Sequence, residues 1–235
     1  NGTIKILKLL FDNNYSRLAI RNTLSEKIPN TCGLLQGSAL SPILFNFFNN
    51  DLLVKLNQLP GVTLANTKIT NLAFADDIAV IAKTTSNLQT AVRVAEIWAI
   101  QNEMIFNPKK CVYLGYSPIG PTMNEIIIPK EESAKYLGIF FNNAGIDTQK
   151  TAQDRARKTN SRIALFRQAG FNLTGLTIDT SAKVYKMFIR PMLEYGIQFL
   201  DKDSLDILQK SQNIALRTMF SANRNSSIAA LHRLS

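Results

Sequence analysis

Apolar residues change their spacing several times along the chain, and each change marks a different element. Ile4, Ile6, Leu7, Leu9 and Leu10 make residues 1–13 an apolar-rich helical run. Ser16 to Asn22 and the turn-rich Pro29 to Gly37 have strand-like or loop character. At Ser41-Pro42 the pattern sharpens. Ser is a favoured N-cap, Pro suits the first helical turn, and Ile43, Leu44, Phe47, Phe48, Leu52 and Leu56 recur at helical spacing. This helix is expected to be mostly buried. Lys68 to Ala82 holds two short apolar runs separated by Asp76-Asp77, which predicts a hairpin. Ser86 to Gln89 fits a capping box, and Leu88, Ala91, Val92, Val94, Ala95, Trp98 and Ala99 mark an amphipathic helix after it. Cys111 to Leu114, Ile126 to Ile128 and Tyr136 to Phe141 are strand candidates. From Asp147 onward the pattern is helical, over Asp147–Ala169, Thr180–Phe199, Ser204–Phe220 and a short piece near Asn225–Leu234. A boundary near Asn142 to Gly145 therefore divides the chain into residues 1–145 and 146–235.

Charge reinforces that division. The formal net charge is +10, but residues 1–149 carry 13 basic against 11 acidic side chains, whereas residues 150–235 carry 14 against 6. A basic excess of this kind attracts polyanions, most often nucleic acid. Hydrophobic residues make up 46% of the chain, enough for a packed core. Cys32 and Cys111 are the two cysteines, too few for a secreted disulfide framework, so an intracellular chain with free thiols that serve packing is expected. No apolar run approaches the roughly 18 residues of a membrane span, and no membrane partner is expected. The first residue is Asn1, not Met, which suggests a fragment or a partial gene product.

The stretch NLAFADDIAVIA carries the clearest chemistry. It sets Asp76 and Asp77 side by side between arms, Leu72 and Phe74 before and Ile78 and Val80 after, that look destined for a core. Two like charges beside apolar surface are costly unless a cation offsets them, and a hard divalent ion with oxygen ligands does so. An exposed, inert Asp-Asp turn fits the same residues. Gln36, Gly37 and Ser38 read on their own as a tight turn feeding the Ser41 helix, and Lys109-Lys110 as a solvated pair at a helix exit. Lys150, Arg155, Arg157, Lys158, Arg162 and Arg167 lie on one basic helix, which is either a phosphate-tracking face or simply a cationic exterior.

Taken together, the stretches point further. GLLQGSALSPILFNFFNNDL resembles the polymerase signature of a Gln-Gly turn before a Ser-Pro-capped apolar helix, and NLAFADDIAVIAKT resembles the Tyr/Phe-x-Asp-Asp hairpin of reverse transcriptases. Asn107-Pro108-Lys109-Lys110-Cys111, the Tyr136-Leu137-Gly138 strand and the Arg190-Pro191-Met192-Leu193-Glu194-Tyr195-Gly196 helix resemble further motifs of the non-LTR retrotransposon reverse transcriptases, so the likeness spans about residues 1–220.

The resemblance implies an α+β fold: residues 1–145 as a partial polymerase palm around an antiparallel sheet, with a remnant of fingers, and residues 146–235 as an α-helical thumb. It implies template-directed DNA synthesis from an RNA template, a DNA primer and deoxynucleoside triphosphates, with two Mg²⁺ ions, or Mn²⁺ in their place, assisting nucleotidyl transfer. Asp76 is then the main metal ligand and Asp77 a less direct one. Gln36, Gly37, Ser38 and Phe74 lie beside the nascent base pair, with Phe74 where many relatives have Tyr. Lys110, and less directly Lys109, faces the leaving pyrophosphate. Tyr136, Leu137 and Gly138 form the primer grip, and Lys109, Lys150, Arg155, Arg157, Lys158 and Arg162 track the backbone. Action inside the nucleus, at a site of integration, follows.

One departure stands against activity. Polymerases of this type need a further Asp on a strand before the Gln-Gly turn, and the single Asp there is Asp12, in LLFDNNYS, which suits a helix end. Little or no polymerase activity is therefore expected of the chain alone. The rival readings are a non-catalytic nucleic-acid-binding or scaffold protein derived from a decayed retroelement, and a group II intron maturase.

Overall fold

The computed structural model describes residues 2–12, 14–171, 175–223 and 225–234, the last three of these as backbone only. The chain opens with helix α1 (Gly2–Asp12), which buries none of its side chains. Short strands β1 (Tyr15–Ser16), β2 (Ala19–Ile20), β3 (Thr23–Leu24) and β4 (Ile28–Pro29) follow, β2 pairing with β3 and β1 with β4.

Helix α2 (Ser41–Asn57) then begins one residue earlier than expected: Leu40, not Ser41, is its N-cap, Pro42 sits in its first turn, and the Ser41 hydroxyl donates to the Leu35 carbonyl at 2.7 Å. The expectation of a mostly buried helix is also corrected. Asn49, Leu52 and Leu56 are buried, but Ile43, Phe47 and Val54 are exposed, because α2 packs along one stripe against α3 and a hairpin. Strands β5 (Val62–Leu64) and β6 (Thr67–Ile69) pair together, as do β7 (Asn71–Phe74) and β8 (Asp77–Val80).

Helix α3 (Thr85–Gln101) starts at Thr84, whose hydroxyl accepts from the Asn87 N–H at 3.1 Å. The expected Ser86–Gln89 capping box is therefore displaced, because an extended Thr two residues earlier takes the cap, while Gln89 instead pairs twice with the Thr122 backbone. The apolar stripe behaves as expected: Ala91, Val92, Ala95, Trp98 and Ala99 are buried, and Trp98, Leu52 and Leu56 form a core onto which Ile78 and Val80 pack. A second cluster joins Val92 to Tyr113, Met123 and Ile128.

Between them the expected Cys111–Leu114 strand shrinks to a single bridge, Tyr113 to Lys130, beside the hairpin of β9 (Thr122–Met123) and β10 (Ile126–Ile127). Cys111 is half-buried and burial raises its thiol, whereas Cys32 is exposed and packs nothing.

The expected strand Tyr136–Phe141 is instead a hairpin. Strands β11 (Ser133–Tyr136) and β12 (Ile139–Asn142) flank Leu137-Gly138, and β13 (Gly145–Ile146) pairs with β12. Helix α4 (Thr148–Gln168), capped by Asp147, packs on α7 and β12. Helix α5 (Ile178–Val184) continues into a π-helical turn at Tyr185–Ile189 before α6 (Arg190–Glu194). Pro191 has no N–H to give and its ring crowds the carbonyl four residues earlier, which opens the preceding turn. Helices α7 (Lys202–Met219) and α8 (Ile228–Leu234) complete a core of Ile163, Phe171, Ile189, Leu193, Leu208 and Met219 among others. The architecture is mixed, helices with small antiparallel sheets. In place of the single antiparallel sheet expected, the strands among the described residues form five separate pairs and one triplet.

Candidate functional site

The Asp-Asp hairpin is held on one side and open on the other. Phe74 pairs with Asp77, so Ala75 and Asp76 form the bend, and alternation along the strands places Leu72, Phe74, Asp77 and Ala79 on one face. Leu72 and Phe74 are 49% and 64% exposed, so the expectation that both arms enter a core holds only for Ile78 and Val80 on the opposite face. Asp76 and Asp77 are both exposed, and neither has an ion-pair partner among the described residues.

Helix α2 fixes this hairpin at both ends through two asparagines that sequence reasoning passed over. At the tip, buried Asn49 donates from its amide to the Ala75 carbonyl at 3.2 Å. At the base, the Asn57 amide oxygen accepts from the Thr70 hydroxyl at 2.7 Å and from the Asn71 amide at 2.9 Å. The two asparagines are eight residues apart, about 12 Å of helix rise, and a four-residue strand is about 13 Å long, so one helix spans the hairpin's whole length. Ala75 has φ +52, a backbone an L residue adopts at a cost of about 1–2 kcal/mol, and the Asn49 contact lies on that residue. The signal was an amide set at core positions in NFFNNDLLVKLN, where Asn is a poor helix former.

The other expected site residues fall around this hairpin at varying remove. Gln36, Gly37 and Ser38 form the bend before α2, with the Ser38 N–H donating to Leu35 at 3.4 Å and its hydroxyl accepting from the Leu40 N–H at 3.3 Å. From Ser41 to Asn49 the helix rises about 12 Å, so this bend and the Asp pair share α2 without touching. Lys109 and Lys110 end a short 3-10 turn capped by Asn107 and project into solvent. Tyr136 is half-buried: burial raises its phenol, and the Asp77 carboxylate raises it further.

Comparison with known proteins decides what this arrangement belongs to. The family described as reverse transcriptase (RNA-dependent DNA polymerase) matches residues 3–141, more than half of the chain. The chain belongs to the reverse transcriptase family. It is 28% identical over 183 residues to the RNA-directed DNA polymerase from mobile element jockey of Drosophila funebris, a match covering 71% of this chain and 19% of that protein. It is 25% identical over 225 residues to the Retrovirus-related Pol polyprotein from type-1 retrotransposable element R2 of Popillia japonica, covering 87% of this chain and 34% of that protein. Its relatives are thus reverse transcriptases of non-LTR retrotransposons, and the chain spans about a fifth to a third of their length.

In this reverse transcriptase chain the matched region ends with β12, and the basic helix α4 begins just after it. Its cations are not equivalent. Asp154, 15% exposed at its side chain, accepts from Lys135 at 2.6 Å, Lys158 at 2.8 Å and Arg157 at 2.9 Å. Lys150 bonds Ser133 and, with Lys135, lies 5.1 Å from the Phe140 ring centre. Lys150, Arg157, Lys158 and Arg162 are exposed, but Arg155 is corrected from a backbone contact to a buried residue, since it lies on the stripe of Ala152, Ala156 and Thr159 that faces inward. Among the described residues no three His, Cys, Asp or Glu side chains cluster to hold a metal ion. Asp76 and Asp77 supply hard oxygen donors suited to a divalent cation, as an incomplete set of two.

Proposed function

We propose that this chain supplies part of the catalytic centre of an RNA-directed DNA polymerase, extending a DNA primer on an RNA template from deoxynucleoside triphosphates. The observation that carries the reading is the hairpin tip: two adjacent, exposed carboxylates with no ion-pair partner among the described residues, anchored through Asn49. A bound divalent cation, Mg²⁺ or in its place Mn²⁺, would activate the primer hydroxyl and neutralise charge developing on the phosphate. Asp76 is the main ligand and Asp77 the secondary one. Gln36, Gly37, Ser38 and Phe74 line the nascent base pair, the space around Gly37 being open enough for a strand to approach. Tyr136, Leu137 and Gly138 hold the primer end, and Lys110 neutralises the leaving pyrophosphate. Lys109, Lys150, Arg157, Lys158 and Arg162 meet phosphates without reading bases.

In this reading residues 1–145 are partial palm with a remnant of fingers and residues 146–235 are thumb, working in the nucleus at an integration site. Because only two carboxylates converge among the described residues, the chain alone binds metal weakly and does not polymerise. Mn²⁺ should broaden the NMR signals of residues 74–79 selectively, and Asp76→Asn should abolish the effect; broadening that ignores the hairpin or survives the substitution overturns the metal assignment. Primer extension by the purified chain with Mg²⁺, absent in Asp76→Ala, would overturn its inactivity.

A further inference from the structure

Leu137 and Gly138 make the two-residue bend between β11 and β12 with φ +47 and +83. Both values positive is the geometry of a type I′ hairpin, which favours Asn-Gly or Gly-Gly. Leu at the first position is opposed by its own Cβ, so contacts from outside the hairpin must hold it there.

Those contacts come from the Arg-Pro-x-Leu-x-Tyr-Gly segment, 58 residues downstream. The Tyr195 hydroxyl donates to the Leu137 carbonyl at 2.9 Å. Its ring covers Gly138, where a Cβ would stand 3.2 Å from the ring edge. Arg155 meets the same ring with its guanidinium 5.4 Å from the centroid. That side chain is 7% exposed, and its two terminal nitrogens have no acceptor among the described residues. Gly196, at φ +64, makes room for it: a Cβ there would lie 3.2 Å from Nη2. A buried cation without hydrogen-bond acceptors is unfavourable, and the electron-rich face of the Tyr195 ring, with the neighbouring Asp154 carboxylate, offsets that cost. The preference of the guanidinium for the ring thus holds Tyr195 in the orientation from which it reaches the bend.

We propose that Arg155 and Tyr195 form a clamp that sets the Leu137-Gly138 bend, making them positioning residues for the β11–β12 hairpin. Three stretches far apart in sequence, the Tyr-Leu-Gly bend, the first turns of α4 and the Tyr-Gly end of α6, then act as one device. Its second anchor is the Lys135–Asp154 ion pair on the opposite face of β11. That this placement serves polymerisation rests on the function proposed above; the clamp itself does not.

The test uses the whole chain and requires no catalysis. Tyr195→Phe keeps the ring and removes the hydroxyl. Amide exchange at Ile139 and Phe140 should accelerate about tenfold, the loss of one hydrogen bond, with α7 unchanged. Arg155→Lys keeps the charge without the planar group and should give the same local pattern. The double variant Arg155→Lys/Tyr195→Phe supplies a readout that two independent structural roles would not give: it should accelerate exchange at Ile139 and Phe140 no more than either single change. Unchanged exchange, acceleration spread equally through α4 and α7, or additive acceleration in the double variant overturns the clamp. Each of those results leaves the Mn²⁺ experiment to decide the polymerase reading separately.

Discussion

The helices after residue 147 and the first forty residues are built on opposite terms. In the former, Ile189, Ala152 and Ala215 are fully enclosed and α4 packs along α7. In the latter, Ile4, Ile6, Leu9 and Leu10 of α1 all lie at the surface, as do Leu18, Ile20 and Leu24. The elements bearing the candidate chemistry lie between, resting on the α2–α3 core along one face and offering apolar side chains to solvent on the other. A scaffold's rigidity and its chemistry are therefore supplied by different parts of the chain, and the site depends on a few polar anchors where buried area is scarce.

The largest effect should separate these regions. Ile189→Ala is expected to cost about 2–5 kcal/mol, as truncation in a closed core does, whereas Leu10→Ala, at a residue 58% exposed, should stay within about 0.5 kcal/mol. Trp98 is the single tryptophan and lies in the other core, so its emission reports α2–α3 while far-UV circular dichroism weights the helices. Ile189→Ala should lower the dichroism transition in urea and leave that of Trp98 in place. Coincident shifts would mean that the two cores unfold as one.

The next effect concerns α3. Thr84→Ala removes a hydroxyl that accepts from Asn87 and should lower the Trp98 transition by about 1 kcal/mol, while Ser86→Ala, inside the helix, should barely move it. The reverse ranking would restore the capping box that the sequence suggests.

That misplaced cap is typical of what could and could not be read from residues alone. The α3 stripe and the extent of α4 were legible because a 3.6-residue period repeats over several turns and the expected start, Asp147, is the cap itself. The charge of Arg155 points outward while its position points inward: it falls between Ala152 and Thr159, on the buried stripe. Tyr136–Phe141 looked like one strand because its apolar run is unbroken, and only Gly138 hinted at a bend. At the site, the two aspartates and their hairpin were visible as residue types, but the anchors Asn49, Asn57 and Tyr195 were not, since their roles arise from partners far along the chain.

A smaller effect tests the ion cluster of α4. Burial raises the Asp154 carboxyl, but hydrogen bonds from Lys135, Lys158 and Arg157 outweigh it and hold the group well below the usual carboxylate range. A depressed folded value means the stabilisation is complete above about pH 4, the ordinary carboxylate value, and is lost as pH falls toward that depressed value. With partners this exposed the contribution is at most about 1 kcal/mol, and it weakens with salt. Stability measured from pH 6 down to pH 2 should fall less steeply in Asp154→Asn than in the wild-type chain; identical slopes would remove the cluster from the account.

The smallest expected change bears most directly on the site. Phe74→Ser should alter the Trp98 transition by no more than about 0.5 kcal/mol, because a ring that is mostly in solvent gains little from burial. Ile78→Ser, on the face that packs against the α2–α3 core, should cost about 1–3 kcal/mol through loss of packing and burial of a hydroxyl. The contrast follows from register alone. Turning the hairpin over with its pairing kept would exchange the two faces, sending Phe74 and Asp77 inward and Ile78 outward. A costly Phe74→Ser beside a harmless Ile78→Ser would therefore place the Asp77 carboxylate against the core, out of reach of any cation shared with a primer.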